Sequence, residues 1–192
     1  MKISFFGSSL LSAYWNGAAT YYRGIVRALH QRGHRITFYE PDAYQRQQHR
    51  DLGPPDWAEV VVYENKPEAA LQQLESAKYA DMVVKASGIG VFDELLEAAV
   101  LEEKRPYQYI IFWDVDAPTT LERMKQNPVD PFRKLIPEYD FILTYGGGPP
   151  VCAPEGGHWR ATVAGVRRVG GGQVPDRRVR RDGQQVALAP RL

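Results

Sequence analysis

The stretch Trp-Asp-Val-Asp-Ala-Pro at residues 113–118 sets Asp114 and Asp116 two positions apart. Two carboxylates at this spacing suit two chemistries. They can hold a divalent cation, because hard cations take carboxylate oxygens. Alternatively, one of them can act as general base and take the proton of an attacking hydroxyl. Asp116 also stands directly before Ala117 and Pro118, where an aspartate caps a helix and proline fits its first turn. Asp114 and Asp116 are the catalytic candidates, and no metal is assigned to them.

A second group of residues is suited to holding a ligand. In Tyr14-Trp15-Asn16-Gly17, the glycine lets backbone approach a ligand closely, and the N–H groups near Ala18 and Ala19 can face a phosphate or a sugar hydroxyl at the positive end of a helix. Asn16 can instead serve as the helix N-cap. Tyr14 and Trp15 are aromatics with polar tips, suited to stacking on a sugar ring and equally to covering the edge of a core. Gly88, in Ala-Ser-Gly-Ile-Gly, and the triplet Gly146, Gly147 and Gly148 before two prolines complete the substrate-binding candidates.

Several chemistries find no support. Gly7 is followed by Ser8, Ser9 and Leu10 in place of a G-x-G-x-x-G spacing, which disfavours a plain nicotinamide-dependent enzyme. His30 and His34 straddle a helix-stopping Gly33, and no Ser-His-Asp arrangement stands out. The single cysteine, Cys152, cannot close an internal disulfide.

The elements that must position these residues are legible as alternating strand and helix patterns over the first 150 residues. Strands are expected at 2–6, 35–39, 59–63, 81–85, 109–113 and 141–145. Several are continuously apolar, as strands covered on both faces are. Between them, Tyr22, Ile25, Val26 and Leu29 recur at helical spacing before Gly33, with Gly24 allowing close contact with the sheet. Ala70, Leu71, Leu74 and Ala77 form a second stripe, and Phe92, Leu95, Leu96 and Ala99 a third. An α/β fold on a parallel sheet follows. In such a sheet ligands collect beyond the carboxyl ends of the strands, where all the candidate loops fall.

After Pro150 the pattern stops. Residues 151–192 carry eight arginines against three acidic residues, a balance of +5, whereas residues 1–150 balance to −4. None of the chain's 11 tyrosines or 7 phenylalanines lies in that tail. It is expected to be largely disordered, and its composition is that of a GC-rich coding sequence read in a shifted frame. An arginine-rich nucleic-acid arm is the rival, disfavoured because only Trp159 is present for base stacking. No apolar run reaches the roughly 20 residues that span a bilayer, and the amino terminus runs straight into a strand, so a cytoplasmic protein is expected.

Taken together, residues 5–51, "FWDVDAPTTLERM" and "LIPEYDFILTYGGGPP" resemble the N-terminal half of a GT-B glycosyltransferase of the spore-maturation-protein-like group. The resemblance covers residues 1 to about 150 and implies a Rossmann-like, doubly wound domain facing a second domain across a cleft. It implies that Asn16 and Gly17 belong to a cleft-facing loop, Asp114 and Asp116 to an acceptor-side loop, and Gly146–Gly148 to a turn toward the interdomain surface. The resemblance implies that sugar would pass from a nucleotide-sugar donor, itself a substrate, to an acceptor hydroxyl, with no cofactor and no metal expected. The donor domain is missing after Pro150, so this chain alone is expected to transfer little, and its uncovered surface would favour self-association. Two alternatives stand beside this reading: a sugar- or nucleotide-binding module without chemistry, and a metal-dependent GT-A transferase using Asp114 and Asp116.

Overall fold

The structure is a computed structural model and describes residues 1–144. Gly146, Gly147, Gly148, Cys152 and the arginine-rich segment lie outside the described residues. Six strands, β1 (Lys2–Phe6), β2 (Arg35–Pro41), β3 (Glu59–Tyr63), β4 (Met82–Ala86), β5 (Tyr109–Asp114) and β6 (Phe141–Thr144), form one sheet in the order β3-β2-β1-β4-β5-β6. Every pairing is parallel. Phe5 lies opposite Phe38 on one side and Val84 on the other, which fixes the register at the centre of the sheet.

Helices α1 (Ala18–Gln31), α2 (Pro67–Ala77), α3 (Asp93–Glu102) and α4 (Ala117–Gln126), with the short α5 (Phe132–Leu135), connect the strands. Parallel neighbours require such crossovers, so both sheet faces are covered and the inner strands read as near-continuous apolar runs. Successive residues of β5 show it. Ile110 and Phe112 join the cluster on the α2 and α3 face, while Ile111 joins the opposite cluster, with Tyr22 and Val26 of α1. This is the α/β, Rossmann-like architecture that the alternating pattern led one to expect.

Local chemistry explains the ends of α1. Gly33 adopts φ +84°, its N–H donates to the His30 carbonyl at 2.8 Å, and the His34 N–H donates to the Leu29 carbonyl at 3.2 Å. These two bonds are the Schellman closure that a left-handed glycine permits. Gly24 has a different place from the one expected. It faces solvent, and a Cβ built there meets no atom within 4 Å, so close packing on the sheet is not its reason. Gly7 is the glycine that steric crowding demands, since a Cβ there would come within 2.5 Å of the Phe38 ring.

Candidate functional site

All six strands point the same way, so the segments following β1, β2, β4 and β5 share one border of the sheet. The strand order reverses between β1 and β4, one neighbour leading out to β2 and β3 and the other to β5 and β6. A crevice at such a reversal is where open α/β sheets take ligands. Backbone strain gathers at the same border. Trp15, Tyr44, Gln45 and Phe92 are the non-glycine residues with positive φ among those described, and each follows β1, β2 or β4. Such conformations persist only where surrounding contacts enforce them.

The segment after β1 is held from inside and from below. Asn16 is buried, and its side chain braces the turn: Oδ1 accepts from Ser8 Oγ at 2.8 Å, while Nδ2 donates to the Ser9 and Ser12 carbonyls at 2.9 and 3.0 Å. The N-cap of α1 is therefore Gly17, with no side chain capping the first turn. From below, the fully buried Glu40 at the end of β2 accepts from the Ser9 hydroxyl, the Leu10 and Leu11 N–H groups and Gln47 Nε2. Arg23 and Asp51 close the outer side with paired bonds of 2.8 and 2.7 Å, and that guanidinium holds the Asp51 carboxyl well below the usual range.

Arg46, in the 3₁₀ turn Arg46–His49 after β2, ties the border together. It is 6% exposed, and its guanidinium donates to the carbonyls of Ser8, Ile89 and Trp15 at 3.2, 3.3 and 3.4 Å. It packs 4.9 Å over the Tyr44 ring, whose hydroxyl donates to the Gly90 carbonyl at 2.6 Å. Among the described residues no carboxylate lies within ion-pairing distance of Arg46. Burial pushes the guanidinium down from its ordinary value, opposed by Tyr44 and Glu40. Arginine stays charged through such a shift, so the border carries a cation bonded to neutral oxygens.

On the far side of the reversal, Asp114 is fully buried at the end of β5. Its Oδ1 accepts from Ser87 Oγ at 2.8 Å, Thr120 Oγ1 at 3.0 Å and the Asp116 N–H at 3.1 Å. Oδ2 is buried with no hydrogen bond among the described residues, and burial pushes the carboxyl above the usual carboxylate range. Asp116 caps α4, its carboxylate accepting from the Thr119 hydroxyl at 2.7 Å and the Thr119 N–H at 3.4 Å. The two aspartates thus face different partners, and no group of three metal-ligating side chains occurs among the described residues.

Beneath the segment after β4 lies an ion pair. Lys85 of β4 is completely buried and bonds Asp93 at the start of α3, with Glu97 at 3.9 Å. Asp93 in turn accepts the Ile89 and Gly90 N–H groups at 3.2 and 2.8 Å. A charge inside the sheet therefore fixes the loop that carries Gly88, which is exposed with φ +66°.

Of the residues singled out from sequence, Tyr14, Trp15 and Gly17 are exposed on the border and Asn16 is turned inward. Gly88 and Asp116 are exposed, Asp114 is buried, and the Gly146–Gly148 triplet lies outside the described residues. Sequence reasoning missed Glu40, Arg46, Tyr44 and Ser87. An acidic residue closing an apolar strand was the available signal for Glu40. A concavity of about 260 Å³ lies elsewhere, against Leu101, Lys104 and Leu135, near the far end of α3.

No family model matches the chain, and no curated protein matches it. Among solved structures, one similar in fold is described as BdcA from E. coli, at 14% identity over 74% of this chain and 78% of that one, with a TM-score of 0.45. Another is a wide-type short-chain dehydrogenase/reductase from Veillonella parvula in complex with NADP, at 11% identity over 74% and 67%, TM-score 0.41. A third is the Bordetella bronchiseptica enzyme WbmH in complex with NAD+, at 16% identity over 58% and 38%, TM-score 0.37. The glycosyltransferase expectation is corrected by these findings, since none of the three is described as a sugar transferase and two hold a nicotinamide dinucleotide. The expected nucleotide-sugar donor, acceptor hydroxyl and absence of a cofactor fall with it. The physical reason is that a doubly wound sheet with this strand order serves many chemistries, so a likeness in its elements does not fix a reaction.

Proposed function

We propose that residues 1–144 form a nucleotide-binding module of Rossmann-like type, with its ligand across the reversal between β1 and β4 and the phosphate at the N-terminus of α1. The observation that carries this reading is the strand order β3-β2-β1-β4-β5-β6 in an all-parallel sheet, which reverses between β1 and β4 on the border where α1 begins without a side-chain cap. The positive end of the helix favours a phosphate there. Arg46 adds a charge of the same sign on the same border. A nucleotide ligand also agrees with the cytoplasmic location expected from sequence, and among the described residues no helix is long and apolar enough to cross a membrane.

Glu40 narrows the pose. In dinucleotide-binding sheets an acidic residue near this place meets a ribose hydroxyl, but here its oxygens are taken by residues 9–11 and Gln47. Compounds of increasing extent discriminate. Isothermal titration of the chain with AMP, ADP, NAD+ and NADP+ is expected to show saturable binding of at least one. Heat changes indistinguishable from dilution for all four, at millimolar ligand, would sink the proposal.

A further inference from the structure

Trp15 is 81% exposed, yet its backbone is fixed by its surroundings. Its backbone sits at φ +46°, a region that bulky residues avoid. Three contacts keep it there. The Trp15 carbonyl accepts from Arg46 at 3.4 Å, and the Asn16 N–H donates to the Ala13 carbonyl at 3.1 Å, closing the turn. The Tyr14 ring stands edge-on to the indole with centroids 6.0 Å apart, and Tyr14 itself stacks on His49 at 4.0 Å and 10°. The chain thus keeps an unfavourable backbone conformation at a residue whose large apolar ring stands in solvent, with Tyr14 at its edge.

The position of the ring indicates what it meets. Trp15 stands two residues before Gly17, the N-cap of α1, and two residues of chain span at most about 7 Å. Its carbonyl contacts the guanidinium of Arg46, which has no carboxylate partner among the described residues. A flat ring joined to an anion over the length of one nucleoside matches both features. We infer that Trp15 is the stacking surface for the nucleobase of the ligand, with the phosphate toward α1. This inference rests on the nucleotide reading above and adds the recognition element for the base.

The test compares AMP with ribose 5-phosphate, which has the same sugar and phosphate but no base. Titrations use the parent chain, Trp15→Ala and Trp15→Phe, with thermal melting to confirm that each is folded. Stacking on an aromatic side chain predicts that Trp15→Ala weakens AMP binding about 5- to 150-fold. Trp15→Phe should recover most of that loss, and ribose 5-phosphate should bind all three alike. Unchanged AMP affinity in Trp15→Ala overturns the inference while leaving the nucleotide reading intact. An equal loss for ribose 5-phosphate also overturns it, in favour of a contact with the sugar ring. Failure of the parent chain to bind either compound removes the nucleotide reading itself, and the inference with it.

Discussion

The Leu10 N–H donates to the buried carboxylate of Glu40, 30 residues away, and so fastens the segment after β1 to the end of β2. Three further donors, from Ser9, Leu11 and Gln47, converge on the same two oxygens. Glu40→Ala would bury these donors without an acceptor, each at a cost that exceeds the worth of an ordinary hydrogen bond. Urea denaturation is expected to show a loss of about 2–4 kcal/mol. A change under about 0.5 kcal/mol, the level of an unremarkable surface substitution, would mean that the segment is held by other contacts.

Lys85 and Asp93 predict a second, larger effect. Removing the cation with Lys85→Met leaves Asp93 without its cation and the buried Glu97 with Arg123 alone, at 3.4 Å. Breaking a buried pair from one side costs about 3–5 kcal/mol. Because Asp93 also accepts from Ile89 and Gly90, hydrogen exchange at those two amides should accelerate more than at the centre of β1. Uniform exchange across the sheet would contradict the local role of the pair.

Asp114 carries a pH dependence whose sign follows from burial. Its native carboxyl titrates above the ordinary carboxylate range, so the folded state holds the proton more tightly than the unfolded chain does. Stability from this group is complete below the unfolded value and is lost as pH rises through the raised native one. Asp114→Asn keeps an acceptor for Ser87, Thr120 and the Asp116 N–H without the charge. Relative to the parent, its melting temperature is expected to rise as pH goes from 4 to 7. A difference that is flat or reversed over that range would count against a raised native value.

Gly17→Asp separates folding from ligand uptake. A Cβ at Gly17 meets nothing within 4 Å and φ is −62°, so the side chain is accommodated. A carboxylate at the start of a helix is favourable to the helix by about 0.3–1 kcal/mol but repels a phosphate bound there. The variant should melt no lower than the parent and bind AMP roughly tenfold more weakly, about 1.4 kcal/mol by calorimetry. Unaltered affinity would move the phosphate away from α1.

Gly7 tests the packing under the border. Gly7→Ala would set its methyl 2.5 Å from Phe38 Cζ, where Phe38 stacks on Phe5 with centroids 5.1 Å apart. Overpacking of this kind costs about 1–3 kcal/mol. Adding Phe38→Leu should recover part of the loss in a double-mutant cycle, whereas strict additivity would exclude the contact as the cause.

What could be read from residue order alone depended on the range of the interactions involved. Strand β1 is found at Lys2–Phe6, as expected, because burial on two faces writes itself into consecutive apolar residues, and β3 is found at Glu59–Tyr63, as expected, its apolar run part-buried at the sheet edge. Gly33 stops α1 through bonds that reach five residues at most. Asn16 shows where such reading fails. It has the chemistry of an N-cap, yet its amide is used by Ser8, Ser9 and Ser12, so the cap passes to Gly17. Arg46 and Glu40 act through partners roughly 30 to 40 residues distant, and no local spacing discloses them. The glycosyltransferase reading failed for a related reason, since the pattern of elements is common to sheets of many activities.

The pair inside the α2 and α3 face has an evolutionary consequence. A sequence that loses the lysine of β4 alone strands the first acid of α3 and leaves the second to Arg123, and one that loses that first acid alone leaves the lysine only the more distant Glu97. Drift at these two sites therefore favours joint steps, and a lineage that replaces both by apolar residues must find another anchor for the amides of the adjoining glycine turn.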